Sequence, residues 1–362
     1  MLIKLNPDAL RTALQALKTL YAGEIDAYYS VENNKMNIES VGGTHRFLVQ
    51  FAVEGDTGLP MQKTTVGTLT QLLALLGEYS DLHLTDAAIA DVEGSTAHAL
   101  TVTKKLKEDK DKYKDCMTIS KTMLVTTLPD GEKNTVLQSR EKYTGEVLFE
   151  CPAAIQVAAH KAYILKADGL YLRGKMVYCS SGDGVCRVSV PELADDLVQD
   201  LDAEFTYGLV RLGAEKYDFY AEHVVCEVNG VTFYLGIPKK AVTRELSADV
   251  LNLFDTIQAD DVRVYGKEVR SIHGMGPLKI MPNKTMLLDN KVKVGAPYIL
   301  PLKDTIFQVG EAHAMRQQSV TVSQPVFQAA GDEWTLGIGL VKNNRVVAKV
   351  SGDCDILFNA YS

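Results

Sequence analysis

The chain has 362 residues, 46% of them hydrophobic and 23% charged, and its 38 Lys and Arg against 46 Asp and Glu leave a net charge of −8. That length exceeds one ordinary core and asks for two or three domains of a globular protein. No apolar run reaches the ~18 residues of a membrane span, and the acidic balance confines any nucleic-acid contact to a local patch.

The amino terminus, MLIKLNPDAL, lacks the basic-then-apolar layout of a signal peptide and reads as a first strand. Asn6 can cap a helix and Pro7 suits its first turn. Leu10, Leu14, Leu17 and Tyr21 then form an apolar stripe, with Arg11, Gln15 and Lys18 opposite. IDAYYSVEN, KMNIESV and HRFLVQFAV read as strands, with turns at Asn33-Asn34 and Gly42-Gly43. A second helix from Val66 carries Leu69, Leu72, Leu73 and Leu76, and DLHLTDA and AHALTVT follow as strands. Residues 104–115, KKLKEDKDKYKD, have no apolar period and read as a solvated loop; a DNA or partner contact by its lysines is the second reading. Residues 126–144, with the turn signal Pro129-Asp130-Gly131, read as a connector.

Beyond it, EVLFECP leads into a helix with Ile155, Ala159 and Ala162 on one face and Gln156, His160 and Lys161 elsewhere. GLYLRGKMVYCSSGDGVCRVSV reads as strands with glycine turns. The four-residue spacing of Leu193, Leu197 and Leu201 predicts a helix from Val190. AEFTYGLVRL, YDFYAEHVVCEV and VTFYLGIP read as strands, with Asn229-Gly230 a hairpin turn. Val250, Phe254 and Ile257 mark another helix from Glu245, and Leu302, Ile306 and Val309 a last one from Leu300. Residues 267–294 are rich in Gly and Pro and carry no legible pattern. SVTVSQPVFQAA, EWTLGIGLV and RVVAKVSG read as strands, with a turn at Asn343-Asn344.

A short strand running into an amphipathic helix thus recurs six times, and such a repeat sets the architecture. The expectation is an α+β fold of three domains, each with two helices packed on antiparallel β-sheets. The boundaries are 1–125 with the charged loop, 126–144 as connector, 145–240 and 241–362.

LRTALQALKTL, IDAYYSVENNKMNIESV and HRFLVQF are similar to the opening half-domain of DNA sliding clamps, the polymerase processivity rings. TTVGTLTQLLALLGEYSDLHLT resembles the second half-domain. Residues 145–240 resemble the family in element order, and the remainder weakly. The resemblance implies the clamp fold in the three-domain layout of the bacterial beta clamp, with two copies closing a ring; a trimer is the alternative. It also implies a role in DNA replication without catalysis, cofactor or metal. The ring would encircle double-stranded DNA regardless of sequence, tether a DNA polymerase and be placed by a clamp loader.

Carried over residue by residue, the resemblance makes Arg11, Lys18, Lys161 and Lys303 the DNA-facing cations. It makes Pro238, Val242, Leu357 and Phe358 the groove for partner peptides. One departure stands against it: the expected fourth helix carries Glu192, Asp195, Asp196 and Asp200 and would repel DNA. The long charged insert points to a phage source and the host cytoplasm.

Two other classes compete. One is a clamp-fold or other multi-domain protein-binding factor, viral or regulatory, that does not encircle DNA. The other is an enzyme whose site is not recognisable. The seven histidines show no zinc spacing, and SSGDG at Ser180–Gly184 lacks a phosphate-loop lysine. Cys179 and Cys186 with the His223 region could pair a thiol with a base, but strand cysteines are ordinary buried hydrophobes. The six cysteines form no CxxC pair, which points to a reducing, cytoplasmic compartment.

Overall fold

The computed structural model describes residues 2–21, 23–42, 45–55, 59–76, 82–88, 97–105, 118–126, 128–151, 153–238, 246–257, 262–264, 277–280, 286–288, 299–300, 320–341 and 345–359. Outside them lie most of the charged loop, the Asn343-Asn344 turn, the helix expected over 302–309, and the site candidates Lys303 and Val242.

A first set of elements runs β1 (Leu2–Leu5), α1 (Pro7–Leu20), β2 (Asp26–Glu32), β3 (Lys35–Val41), β4 (Arg46–Gly55), β5 (Leu59–Thr65), α2 (Val66–Leu76), β6 (Leu82–Ala88), β7 (Ala97–Lys105) and β8 (Thr118–Thr126). After α3 (Asp130–Arg140), a second set repeats that order. It runs β9 (Phe149–Glu150), α4 (Ala153–Leu165), β10 (Gly169–Arg173), β11 (Met176–Ser180), β12 (Val185–Ser189), β13 (Val198–Asp202), α5 (Ala203–Val210), β14 (Tyr217–Phe219), β15 (His223–Val228) and β16 (Val231–Gly236). After α6 (Ala248–Thr256) come β17 (Val262–Val264), β18 (Leu278–Ile280), β19 (Met286–Leu288), β20 (Ile299–Leu300), β21 (Val320–Val322), α7 (Gln324–Ala330), β22 (Trp334–Val341), β23 (Arg345–Ser351) and β24 (Asp355–Asn359).

Contacts group the chain into two compact units, Met1–Cys151 with Gly208–Lys239, and Pro152–Tyr207 with Lys240–Ser362. Neighbouring strands pair antiparallel, as expected. In the first unit β4 joins two runs. Its front half lies between β3 and β16, in the order β5-β2-β3-β4-β16-β15-β14-β9, while Val53–Gly55 pair with β1, which leads on to β6, β7 and β8. The second unit holds an eight-stranded sheet, β13-β10-β11-β12-β24-β23-β22-β17, and a four-stranded sheet, β20-β19-β18-β21.

Local chemistry explains much of this. The Asn6 side chain accepts from the backbone N–H of Asp8 at 2.9 Å, so α1 starts where the cap predicts. Ala9, Leu10, Ala13, Leu14, Ala16 and Leu17 are buried along one face of α1, which packs against α2. Asn33 and Asn34 (φ 52° and 59°), and Asn229 and Gly230 (φ 51° and 75°), adopt the left-handed turns that two-residue hairpins require.

Three assignments change. Residues 190–201 do not form a helix: Pro191–Asp196 turn, and β13 pairs with β10 from Arg173↔Val198 to Gly169↔Asp202. The leucine spacing there is shared between a turn and a strand. AEFTYGLV is not a strand but α5, whose start is set by Asp202, accepting the Phe205 N–H at 2.7 Å. SVTVSQPVFQAA divides into β21 and α7, the latter ending at Gly331 (φ 95°), where a Cβ would run into Asp353. The connector is itself largely helical, as α3.

Candidate nucleic-acid interface and partner surface

α1 buries its apolar stripe and leaves Arg11, Gln15 and Lys18 at the solvent side. Arg11 is half-buried and held by Asp8 one turn earlier at 2.6 Å. Lys18 is exposed and has no ion-pair partner among the described residues. Its place in the last turn suits the negative end of the helix dipole.

Lys161 is a correction. It lies in the buried stripe of α4, with Ala158, Ala162 and Leu165 at helical spacing, and is only 6% exposed. Its ammonium donates to Asp353 at 2.8 Å, so it does not serve as a free cation on the surface. The apolar face of α4 runs through this lysine because its methylene stem packs like a hydrophobe.

Pro238 follows β16 in the first unit and is half-buried. Leu357 and Phe358, in the second unit, are buried on β24. Leu357 packs in a cluster with Tyr171, Tyr178, Val347, and Phe254 and Ile257 of the α6 segment. The face expected to be an open groove at Leu357 is therefore covered by α6.

The two inter-set helices are anchored differently. Arg140 at the end of α3 donates to both carboxylate oxygens of Glu39, at 2.9 and 2.6 Å, to Glu32 at 2.8 Å and to the Ser30 hydroxyl. Glu39 is only 3% exposed by side chain, and burial holds its carboxyl above the usual range despite Arg140. At the other end, Glu132 accepts from the Tyr28 hydroxyl and Lys63; burial first, then Glu132, pushes Tyr28 up to about 12. α6 is instead fixed by Phe254. Lys349 donates to the Phe254 carbonyl at 2.6 Å, and Arg187 lies over its ring, bonding Asp255 and Asp355 at 2.7 Å each.

His223 on β15 is 1% exposed, stacked on Tyr220 and edge-on to Tyr143. Its Nε2 has no hydrogen-bond partner among the described residues. Burial, then the Arg46 charge, pushes it down to about 4, so it is neutral near pH 7. Among the described residues no cluster of three potential metal ligands exists, and Cys179, Cys186, Cys226 and Cys354 form no disulfide.

One feature escaped the sequence reading. Tyr163 on α4 is 55% exposed and stacks on Tyr207 of α5, ring centroids 4.0 Å apart and planes 12° apart. The three-residue step from His160 to Tyr163 was the available signal, but Tyr207 was hidden in a segment that looked like a strand.

No family model and no curated protein matches this sequence. Solved structures do. The chain is similar to DNA polymerase III subunit beta of Borrelia burgdorferi at 10% identity and a TM-score of 0.60, covering 100% of this chain and 98% of that one. It is similar to the DNA polymerase sliding clamp of Pseudomonas aeruginosa (11% identity, TM-score 0.61), covering all of both chains. The Helicobacter pylori beta clamp bound to a DNA ligase peptide aligns equally fully, at 11% identity and a TM-score of 0.61. The fold is thus the α+β sliding-clamp fold from end to end.

Proposed function

We propose that this protein is a DNA sliding clamp: a ring of identical subunits that encircles duplex DNA and tethers the replicative polymerase. The observation that carries this is the strand pairing, which repeats with the clamp fold along the whole chain. The first set pairs as β5-β2-β3-β4 and β1-β6-β7-β8, the second as β13-β10-β11-β12 and β9-β14-β15-β16. The third pairs as β21-β18-β19-β20 and β17-β22-β23-β24. This supports three modules along the expected divisions 1–125, 145–240 and 241–362, with α3 in the connector.

The joints follow one rule. The fourth strand of a set pairs with the last strand of the next, β4 with β16 and β12 with β24. Among the described strands this leaves β20 and β8 without the partner that the rule would give them. β20 of one copy pairing with β8 of another would extend the rule head to tail, and such contacts close rings. It would also cover edges that otherwise invite association. A dimer is the smallest such ring; a trimer is the alternative.

DNA contact is assigned to α1, through Arg11 and Lys18, as sequence-independent phosphate contacts. The acidic run that stood against DNA is no helix: Glu192, Asp195 and Asp196 lie in turns and Asp200 on edge strand β13. The partner surface for polymerase and clamp loader is proposed at Leu357 and Phe358, and a peptide using Leu357 would displace α6 from it. The role needs no catalysis; the fold supplies a tether.

The test is mass and topology together. Sedimentation should give a dimer or trimer, and protein loaded by its clamp loader should stay on nicked circular DNA and run off once it is linearised. Arg11→Glu with Lys18→Glu should shorten that retention while leaving the mass unchanged. A monomer at micromolar concentration, or equal retention on both DNA forms, overturns the reading.

A further inference from the structure

We infer that the paired helices α4 and α5 carry a second nucleic-acid site, one that takes the unpaired bases of single-stranded DNA by stacking. The observation is the aromatic ladder on these helices. The Tyr163 and Tyr207 rings lie nearly parallel at 4.0 Å, and the His160 ring lies 5.9 Å from that of Tyr207. Tyr207 covers one face of Tyr163, yet 55% of Tyr163 remains exposed, so its other face is open to solvent. A large aromatic ring held in place by a neighbour and left bare on the far side is a pre-ordered stacking surface. Its entropy cost has already been met inside the fold.

Charge selects the occupant. α4 reads AAIQVAAHKAYIL and contains no carboxylate, and α5 carries one, Glu204, in its first turn. One turn after Tyr163 stands Lys166, exposed and without an ion-pair partner among the described residues, its backbone N–H bonded to the Tyr163 carbonyl at 3.1 Å. A cation beside an open aromatic face is the combination that binds a phosphodiester chain and one of its bases together. A duplex offers the phosphates but keeps its base faces stacked on one another; an unpaired strand offers both. Lys161, which the sequence placed among the DNA contacts, is buried against Asp353, so binding on this helix falls to Tyr163, His160 and Lys166.

The test uses the protein alone, with no loader. Fluorescence anisotropy of the full-length protein with labelled oligo(dT), an abasic oligomer of equal length and a blunt duplex tests it directly. Oligo(dT) should bind more tightly than either control. Tyr163→Ala should weaken oligo(dT) binding by roughly tenfold, the loss expected for one stacked base, and Tyr163→Phe should keep it within about twofold. Lys166→Ala should weaken the oligo(dT) and abasic oligomers alike and flatten the salt dependence. Because Tyr163 is exposed, its substitutions leave the core intact, which circular dichroism confirms. The inference is overturned if the abasic oligomer or duplex binds as well as oligo(dT), or if Tyr163→Ala binds unchanged. A Tyr163→Ala protein that loses polymerase co-sedimentation while keeping oligo(dT) binding overturns it too, marking a protein-docking surface.

Discussion

α3 and α6 occupy corresponding places, each between two sets of strands and each packed on the third residue of a set's second strand, Tyr28 of β2 or Tyr171 of β10. Their attachments differ in kind. α3 buries Val136 beside Tyr28, Met61 and Leu128, and is otherwise held by the Arg140–Glu39–Glu32 ion network and the Tyr28–Glu132–Lys63 group. α6 inserts Phe254 among Tyr171, Tyr178, Val347 and Leu357, with Leu251 and Leu253 packed against the cluster. The same position can thus be secured by charge complementarity or by apolar burial. The first is conditional on ionisation, whereas the second is not.

Three outcomes would sharpen or break this contrast. Phe254→Ala should have the largest effect, costing about 3–5 kcal/mol from lost transfer energy and the cavity left behind. Chemical denaturation should show it equally at low and high salt. A cost under about 1 kcal/mol would mean α6 is held by its polar ties alone. Removing the same ring should also expose Leu357 and raise the affinity of any partner peptide that uses it.

Glu39→Ala comes next, at about 2–3 kcal/mol, because Arg140 then loses its bidentate partner and keeps only Glu32 and Ser30. The double variant Glu39→Leu, Arg140→Met should recover most of that loss, since removing both charges removes the desolvation cost with the attraction. If the double variant is as unstable as the single one, α3 is not held by its charges.

The third outcome is a pH dependence in the strands that follow α3. His223 has a folded pKa of about 4, below its ordinary value of 6.5. Below pH 6.5 the unfolded chain binds a proton that the fold refuses, so stability is full near neutrality and lost as pH falls towards 4. The loss should be on the order of 2 kcal/mol, and His223→Gln should flatten it. An unchanged acid limb in that variant would place the titration elsewhere.

Much of the fold was legible because its signals are local. Asn6 with Pro7 marks the start of α1, and Asn229-Gly230 supplies the left-handed backbone of a hairpin. α3 was not legible because it buries only Val136 and Ser139, too few for an apolar period, and its Pro-Asp-Gly start also spells a turn. The Ser323, Pro325 and Gly331 punctuation of α7 was readable as a helix but lay inside an apparent strand. At the candidate site, the exposure of Lys18 followed from helical spacing. The burial of Lys161 did not, since it depends on Asp353, distant in sequence.

The sequence by itself determined the class of the protein: repeated strand-helix units, antiparallel sheets and a basic face on the first helix, all consequences of periodicity and capping within one element. Only the tertiary structure decided which leucines joined a strand, which lysine was buried with its charge spent on a distant carboxylate and which helix covered Leu357. Those outcomes rest on pairings between residues far apart along the chain, whose free energy no local window contains.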